Sequence, residues 1–380
     1  MTINFATPSI TNKEINNVTK VLNSGWLTTG SQTKNLESLI NQYIGSEFCL
    51  CLNSCTSALH LALICAGIKA GDEVITTPFT FVSTINTILY LRAKPVFVDI
   101  KPQDFVIDED KIESKITKKT KAILPVHYAG FSANLDKLSL LCKKYNLTLI
   151  EDAAHAFGSK YRNRFIGRSS RFCCFSFYPT KNITTGEGGA LVTNDENVYK
   201  KALSLSLHGI NKGNAWKRYS TTGSWKYDVD KLGFKYNMTD LQATLGIAQL
   251  GRINILKRRR DIIYQLYKEG LSEIKGIEIL SGNAYSFPFR HLFVIKIKSK
   301  KIKRDDFIEI MKKKNIVCSV HFIPVYKFTL YKELLVKNSE FPNCETAYKD
   351  CLSLPFNAVM GIKETWQVIK VIKNIFKSKN

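Results

Sequence analysis

The first two-thirds of the chain alternates short apolar runs with longer segments of helical periodicity. Residues 47–54 and 72–78 are runs of strand length, and each is followed by a segment of helical periodicity, at 55–68 and 80–93. Further strand-like runs recur at a similar spacing, namely KPVFVDI, TKAILPVHY, LTLIEDAAH, RFCCFSFY and GALVTND. Strands separated by helices in this way predict an α/β fold, with a mostly parallel sheet flanked by helices.

The pattern changes near residue 250, where an amphipathic helix is predicted at 250–271. The elements that follow are two strand-like runs and two helices, at 291–297, 316–322, 304–314 and 362–377. Two domains are expected, because 380 residues exceed what one hydrophobic core usually supports. We predict a large domain at 1–250 and a smaller C-terminal α+β domain at 251–380.

The chain is strongly basic, with 55 Lys and Arg residues against 32 Asp and Glu and a formal net charge of +23. Such a charge can indicate nucleic acid, an anionic membrane face or an anionic substrate. The basic clusters at 257–260, 298–304 and 312–314 are scattered, most of the excess is lysine, and no RNP motif or zinc finger accompanies them. A lysine-rich surface on an enzyme is therefore favoured, without a nucleic-acid partner.

Cysteine usage and hydropathy indicate the compartment. None of the ten cysteines forms a C-x-x-C pair, which favours free thiols and argues against a metal site or a disulfide framework. No apolar window reaches the ~18 to 20 residues that a membrane-spanning helix needs, and the first residues lack the features of a secretory signal. We expect a cytoplasmic protein that does not bind membranes.

Ligands of a parallel sheet bind beyond the carboxyl ends of its strands, so the residues there are the candidates for chemistry. Thr56 and Ser57 follow the first strand and begin a helix, where amides, hydroxyls and the helix dipole suit a phosphate. Helix capping alone also explains them. Phe81 follows the second strand, and it either stacks on a flat ring or packs in the core.

A carboxylate is predicted at the end of a later strand. Asp152 directly follows an apolar run, where burial demands a cationic or hydrogen-bonded partner. A protonated pyridine nitrogen would serve, and capping of the next helix is the alternative. His155 lies three residues further on, where it either touches the same ring or is a satisfied core residue.

The sharpest candidate is Lys181, in the run SFYPTKNITTGEGG, after an aromatic stretch and before three glycines. A lysine that is partly desolvated has its amine form favoured and becomes a nucleophile toward carbonyls. The glycines allow close backbone approach, and Ser176 offers a further hydroxyl to a phosphate. A phosphate site, a flat-ring site, a carboxylate and a reactive lysine together fit pyridoxal 5′-phosphate.

Longer motifs run along most of the chain, and they include GWLTTG, NSCTSALHLAL, GDEVITTPFTFVSTIN, PVHYAG, EDAAHAFGSKY, FSFYPTKNITTGEGG, FKYNMTDLQA, VHFIP and LSLP. Together they resemble the sugar aminotransferases of the DegT/DnrJ/EryC1/StrS family, and look most like the branch that acts on UDP-linked 4-keto sugars. The resemblance implies fold type I of the pyridoxal phosphate enzymes, with a mostly parallel central sheet and a smaller C-terminal α+β domain.

The resemblance also implies roles for individual residues. Lys181 would bond to the cofactor and move the proton in transamination, while Asp152 would keep the pyridine nitrogen protonated. His155 falls beside the ring oxygen, and Phe81 falls on the ring-stacking aromatic. The implied phosphate contacts are Thr56, Ser57, Ser176 and, reaching over from the neighbouring subunit of a homodimer, Asn237. The candidate substrate contacts are Lys217, Arg218 and His321.

The implied reaction moves an amino group from L-glutamate to the C4 keto group of a UDP- or dTDP-linked 4-keto-6-deoxy sugar, for lipopolysaccharide or another glycan. Related sugar 3-dehydratases carry a histidine in place of Lys181, so transamination is favoured over dehydration. Three alternatives stay open: a keto-cyclitol aminotransferase, a 3-keto-sugar aminotransferase, and a non-enzymatic regulatory or nucleic-acid-binding protein on the same fold.

Overall fold

The computed structural model describes residues 2–211, 225–332 and 340–377. Its strands, two to five residues long, are β1 Phe48–Leu52, β2 Glu73–Thr76, β3 Lys94–Phe97, β4 Thr120–Ile123, β5 Thr148–Leu149, β6 Glu151–Asp152, β7 Lys160–Tyr161, β8 Arg164–Phe165, β9 Cys173–Ser176, β10 Gly189–Thr193, β11 Ile277–Ile279, β12 Ser286–Phe287, β13 Phe293–Ile297 and β14 Cys351–Leu354. Its helices are α1 Asn12–Ser24, α2 Ser31–Ile44, α3 Cys55–Cys65, α4 Val82–Tyr90, α5 Leu135–Tyr145, α6 Glu196–Ser206, α7 Asp240–Leu250, α8 Ile253–Leu271, α9 Arg304–Lys313, α10 Thr329–Lys332, α11 Pro342–Asp350 and α12 Ile362–Lys377. Within these described ranges, no helix is both long and apolar enough to cross a membrane.

Two four-stranded sheets join into one. The first has the order β3-β2-β4-β5 and is parallel throughout. The second has the order β1-β10-β9-β6, in which β6 is parallel to β9 and β10 is antiparallel to both of its neighbours. A parallel bridge between Val126 and Asp152 links them, and the Asp152 amide donates to the Pro125 carbonyl at 3.0 Å. All of these strands except β10 run in one direction, which confirms the predicted mostly parallel α/β sheet.

Helix α3 is held in place by burial on nearly all of its sides. Eight of its eleven residues are buried, as expected for a helix whose sequence is apolar all round. It packs against α4, α6, β9 and β10. Its first turn is capped by Ser54, whose hydroxyl accepts a hydrogen bond from the Ser57 amide at 3.1 Å. The start of α3 is therefore fixed at the carboxyl end of β1.

The C-terminal third is built on the antiparallel sheet β11-β13-β14. Its core contains apolar side chains of α8, α9 and α12, and it also takes in Ile3, which pairs with Ile316. The predicted helix at 250–271 begins only at residue 253, because Gly251 and Arg252 separate α8 from α7. The predicted strand at 316–322 is reduced to two isolated bridges. The division at residue 250 stays a proposal.

A buried carboxylate anchors the start of helix α2. Asp240 Oδ1 accepts hydrogen bonds from the Gly30 amide at 2.8 Å, the Thr33 amide at 2.9 Å and Thr33 Oγ1 at 2.7 Å. Asp240 Oδ2 accepts from the Gln32 amide at 3.1 Å. A carboxylate in this place meets the unpaired amides and the positive end of the helix dipole. Residues some two hundred positions apart are thereby joined.

We expect the substitution Asp240→Ala to lower the free energy of unfolding by roughly 2–4 kcal/mol, since two buried amides, a partly buried amide and a buried hydroxyl lose their acceptor. Urea unfolding followed by circular dichroism measures the change. Asp195→Ala is the matched control, because Asp195 caps α6 through two amides in a more exposed position and should cost about 1 kcal/mol. Equal losses in the two variants would contradict the account.

Candidate active site

Side chains from several strand ends meet at one edge of the sheet. Asp152 ends β6 and Ser176 ends β9, while the first turn of α3 follows β1 and Phe81 precedes α4 just beyond β2. Asp152 and Cys55, the first residue of α3, both lie close enough to Lys181 to oppose the lowering of its pKa by burial. The end of β6 and the first turn of α3 therefore lie close to the lysine.

Lys181 lies in the loop between β9 and β10, where its amide donates to the Tyr178 carbonyl at 2.9 Å. Its side chain is half-buried, and in the described part of the chain no hydrogen bond or ion pair reaches its Nζ. Burial lowers the pKa of Lys181 to about 8, although Cys55 and Asp152 oppose the shift. The neutral amine, which attacks carbonyl groups, is thus available at mildly alkaline pH.

Asp152 is buried, with only 4% of its surface exposed. Its Oδ2 accepts a hydrogen bond from Thr84 Oγ1 at 2.8 Å, and its Oδ1 accepts one from the Ala154 amide at 3.1 Å. Burial raises the pKa of the Asp152 carboxyl, while those two hydrogen bonds and the charge of Lys181 oppose the rise. A cation placed against this carboxylate would reverse the rise, because an opposite charge stabilises the ionised form.

The first turn of α3 offers donors at the same edge. Ser57 is buried, and its hydroxyl donates to Asn53 Oδ1 at 2.6 Å. Thr56 is half-buried in that turn, where amides lack partners within the helix. Ser176 is also buried, at the end of β9. The helix terminus and these hydroxyls form the kind of site that binds a phosphate.

Gly189 permits the close packing beneath this turn. A Cβ at Gly189 would lie 2.5 Å from the Ser54 carbonyl carbon and 2.7 Å from the Phe175 carbonyl oxygen, and closer still to the Cys55 amide nitrogen. Real Cβ atoms essentially never come that near to other atoms. Strand β10 therefore runs directly under the start of α3 only because residue 189 has no side chain.

The two predicted ring contacts are Phe81 and His155, and of these His155 lies close enough to Lys181 for the charge of the lysine to add to the effect of burial on its pKa. Phe81 is 60% exposed, and its ring lies 6.3 Å from that of Phe322. His155 is buried, and its Nδ1 accepts a hydrogen bond from the Ala129 amide at 3.3 Å. Burial lowers the pKa of His155 well below its usual value, so the ring is neutral. Its proton is therefore on Nε2, which can act as a donor.

Of the three predicted substrate contacts, the structure describes only His321. His321 lies with its ring centroid 6.4 Å from that of His155, and its Nδ1 is 3.0 Å from Ser353 Oγ. Burial, helped by the charge of Lys181, lowers the pKa of His321 to about 3. Lys217 and Arg218 fall outside the described residues.

Asn237 lies beside the end of β1 in its own subunit. Its backbone forms a bridge with Leu52, its Nδ2 donates to Thr29 Oγ1 at 2.6 Å, and its Oδ1 accepts from Lys235 at 2.7 Å. The contact across a subunit boundary, which the resemblance implies for this asparagine, stays a prediction.

A third imidazole, His291, escaped the sequence reasoning. Its ring centroid is 4.4 Å from that of His155, it is buried, and its Nδ1 has no partner among the described residues. The rule that ligands lie beyond strand ends did not point to it, because His291 begins the strand-like run at 291–297 and so lies at its amino end. The only signal in the sequence was a histidine next to an apolar run.

The residues present fit pyridoxal 5′-phosphate. A helix start packed on a glycine can hold the phosphate, a buried carboxylate can hold a protonated ring nitrogen, and an unpartnered lysine can bond to an aldehyde. Burial shifts the pKa values of Lys181 and Asp152 toward their neutral forms, and the ring of Phe81 is exposed. Such a ligand would use all three. Among the described residues, no cluster of three or more His, Cys, Asp or Glu side chains could hold a metal ion.

Comparison with known proteins gives matches over nearly the whole chain. A model of the DegT/DnrJ/EryC1/StrS aminotransferase family matches residues 8–373. The chain is 41% identical over 377 residues to the spore coat polysaccharide biosynthesis protein SpsC of Bacillus subtilis. The aligned region covers 98% of this chain and 97% of SpsC.

Solved structures match over the full length of the chain. The putative sugar aminotransferase Spr1654 from Streptococcus pneumoniae, in its PMP-form, has a TM-score of 0.92 and 33% identity, with 100% of both chains covered. Its PLP-form matches with a TM-score of 0.91 and 32% identity. Helicobacter pylori PseC, an aminotransferase involved in the biosynthesis of pseudoaminic acid, has a TM-score of 0.91 and 30% identity, again with both chains fully covered.

We expect the apoprotein to capture pyridoxal phosphate faster as the pH rises, with a midpoint at about 8. The reason is that the reactive amine of Lys181 is present above this pKa and lost below it. Stopped-flow absorbance over a pH series measures the rate, and Lys181→Arg should abolish capture, because its guanidinium stays protonated. A midpoint near the ordinary lysine pKa of about 10.4 would contradict the account.

We expect Gly189→Ala to raise the dissociation constant of pyridoxal phosphate by at least about tenfold and to lower stability by roughly 1–3 kcal/mol, because the new methyl group displaces the start of α3. Titration of the apoprotein and urea unfolding measure the two effects. Gly361→Ala is the control, since its Cβ would contact only Glu364 Oε2, at 3.6 Å. Unchanged cofactor affinity in Gly189→Ala would argue against a phosphate site at this turn.

Proposed function

The chain belongs to the DegT/DnrJ/EryC1/StrS aminotransferase family, and on that premise we propose that it transfers an amino group from L-glutamate to the C4 keto group of a nucleotide-linked 4-keto-6-deoxy sugar. The protein is a pyridoxal-phosphate-dependent sugar aminotransferase of fold type I. UDP and dTDP are the proposed carriers of the sugar.

The observation that carries the proposal is the pair formed by Lys181 and Asp152, whose pKa values are both shifted toward the neutral form by burial at one edge of the sheet. When bound, pyridoxal phosphate supplies an electron sink for the carbon that loses its proton. Lys181 would hold the cofactor and would move that proton, since its amine is neutral at mildly alkaline pH. Asp152 keeps the ring nitrogen protonated, because a buried carboxylate is stabilised by a cation.

The remaining predicted residues orient the cofactor. Phe81 would stack on the ring with its exposed face, and the Nε2–H of His155 would donate a hydrogen bond to the ring oxygen. The phosphate would be bound by Thr56, Ser57 and Ser176 at the start of α3 and the end of β9, and by Asn237 of a second subunit. This last contact is why we propose a homodimer with shared sites.

Support for a nucleotide-sugar substrate comes from the names of similar proteins and from charge. SpsC is named for polysaccharide biosynthesis and PseC for the biosynthesis of pseudoaminic acid. A net charge of +23 favours an anionic diphosphate. His321 lies close to His155 as a candidate sugar contact, and Lys217 and Arg218 are kept as candidate diphosphate contacts. We place the reaction in the cytoplasm, in glycan biosynthesis.

The donor half-reaction is tested first. We expect the visible absorption band of the purified holoenzyme to bleach when L-glutamate is added, with one equivalent of 2-oxoglutarate formed per subunit. Lys181→Ala should leave the folded protein unable to bleach at a measurable rate, because the variant lacks the amine that is proposed to move the proton. A band that responds to L-alanine and not to L-glutamate would overturn the proposed donor.

The acceptor is tested on the bleached enzyme. A panel of UDP- and dTDP-linked 4-keto-6-deoxy sugars, 3-keto sugars and keto-cyclitols is added, and return of the band is recorded. We expect return with a 4-keto nucleotide sugar, and mass spectrometry should find the amino sugar product. Return with a 3-keto sugar or a keto-cyclitol alone would overturn the proposed substrate while leaving the enzyme class intact.

A further inference from the structure

A small cavity borders the lysine loop, and distant parts of the chain line it. Its walls include Thr7 and Ser9 of the N-terminal segment, Lys181 and Asn182 of the loop, and Arg260 of α8. The cavity has a volume of about 10 Å³, which is the room that a single water-sized sphere needs.

Arg260 brings an unpaired donor to this cavity. Its side chain is 3% exposed, and its Nη1 donates to the carbonyls of His291 and Phe356, each at 3.2 Å. Its Nε has no hydrogen-bond partner in the described part of the chain, and no carboxylate there forms an ion pair with it. Burial lowers the pKa of Arg260 to about 10. A buried guanidinium that is held by two carbonyls and the ring of Phe356, with its Cζ 5.3 Å from the ring centroid, is costly unless its Nε donor is satisfied as well.

Asn182, the residue after the lysine, brings an unpaired acceptor to the same cavity. It is 5% exposed, and its Nδ2 donates to the carbonyls of Phe157 at 3.1 Å and Phe289 at 2.9 Å. Its Oδ1 has no partner among the described residues. A donor on one wall and an acceptor on another match the two sides of a water molecule.

We propose that one buried water molecule occupies this cavity, accepting a hydrogen bond from Arg260 Nε and donating one to Asn182 Oδ1, and that Arg260 is thereby a positioning residue for Lys181. Most buried waters in proteins have this role, since they bond to polar groups that would otherwise be unsatisfied. The water joins helix α8 to the residue next to the reactive lysine.

The consequence for the reaction is geometric. Asn182 is fixed on one side by two carbonyls and on the other by the water, so the backbone that carries Lys181 has little freedom. The Nη1 bond of Arg260 also fixes the carbonyl of His291, whose ring packs on that of His155. One guanidinium of α8 therefore supports both the lysine and the imidazoles that face it.

The proposal is tested with Arg260→Lys, which keeps a positive charge but has no Nε donor. The matched control is Arg259→Lys, on the same helix and exposed. Pyridoxal phosphate bonds to Lys181, whereas pyridoxamine phosphate lacks the aldehyde and does not. We expect the rate at which the apoprotein captures pyridoxal phosphate to fall about tenfold in Arg260→Lys, with its affinity for pyridoxamine phosphate within about twofold of the unsubstituted protein.

Two results would overturn the positioning role. One is an equal loss with both ligands, which would indicate general distortion of the site. The other is a capture rate in Arg260→Lys that equals that of Arg259→Lys. If Arg260→Lys does not fold, the proposal is tested instead by a high-resolution crystal structure of the unsubstituted holoenzyme. We expect an ordered water within about 3.2 Å of Arg260 Nε and Asn182 Oδ1, and a dry cavity would overturn the proposal.

Discussion

The burial of the Asp152 carboxylate is the constraint on which the rest of the site depends. Two hydrogen bonds, from Thr84 and the Ala154 amide, do not keep its pKa at the ordinary value. Burial shifts the pKa of Lys181 in the opposite direction, downward, and so favours the neutral amine. A ligand with a cationic ring nitrogen and an aldehyde resolves both, since it gives the carboxylate a cation and the amine a carbonyl.

The architecture keeps these two groups at one edge of the sheet. Asp152 ends a strand in the parallel part, and the antiparallel β10 brings the lysine loop back beneath the start of α3. That approach depends on Gly189, where a side chain would collide with the backbone of Ser54. The helix itself cannot yield, because it is buried on nearly all sides. Phosphate, ring and lysine positions are therefore set by packing and not by loops alone.

The features that could be predicted from the sequence are those that a local pattern of residues records. The alternation of apolar runs predicted the sheet, and the residues just beyond its strands included Lys181 and Asp152. Contacts between residues that are distant in sequence leave no comparable pattern of residues along the chain. Asp240 looks like an ordinary helix start, yet it caps α2 some two hundred residues earlier. His291 and Arg260 lie in segments whose pattern indicates only core packing or a solvated helix face. Their roles arise from tertiary contacts that no local pattern records.

The most direct test of the central claim is to identify the lysine that holds the cofactor. The holoenzyme is reduced with borohydride, digested, and analysed by tandem mass spectrometry for the mass of a phosphopyridoxyl group. We expect this group on Lys181 in nearly stoichiometric amount. A group on any of the other lysines, or a protein that retains pyridoxal phosphate without a covalent link, would contradict it.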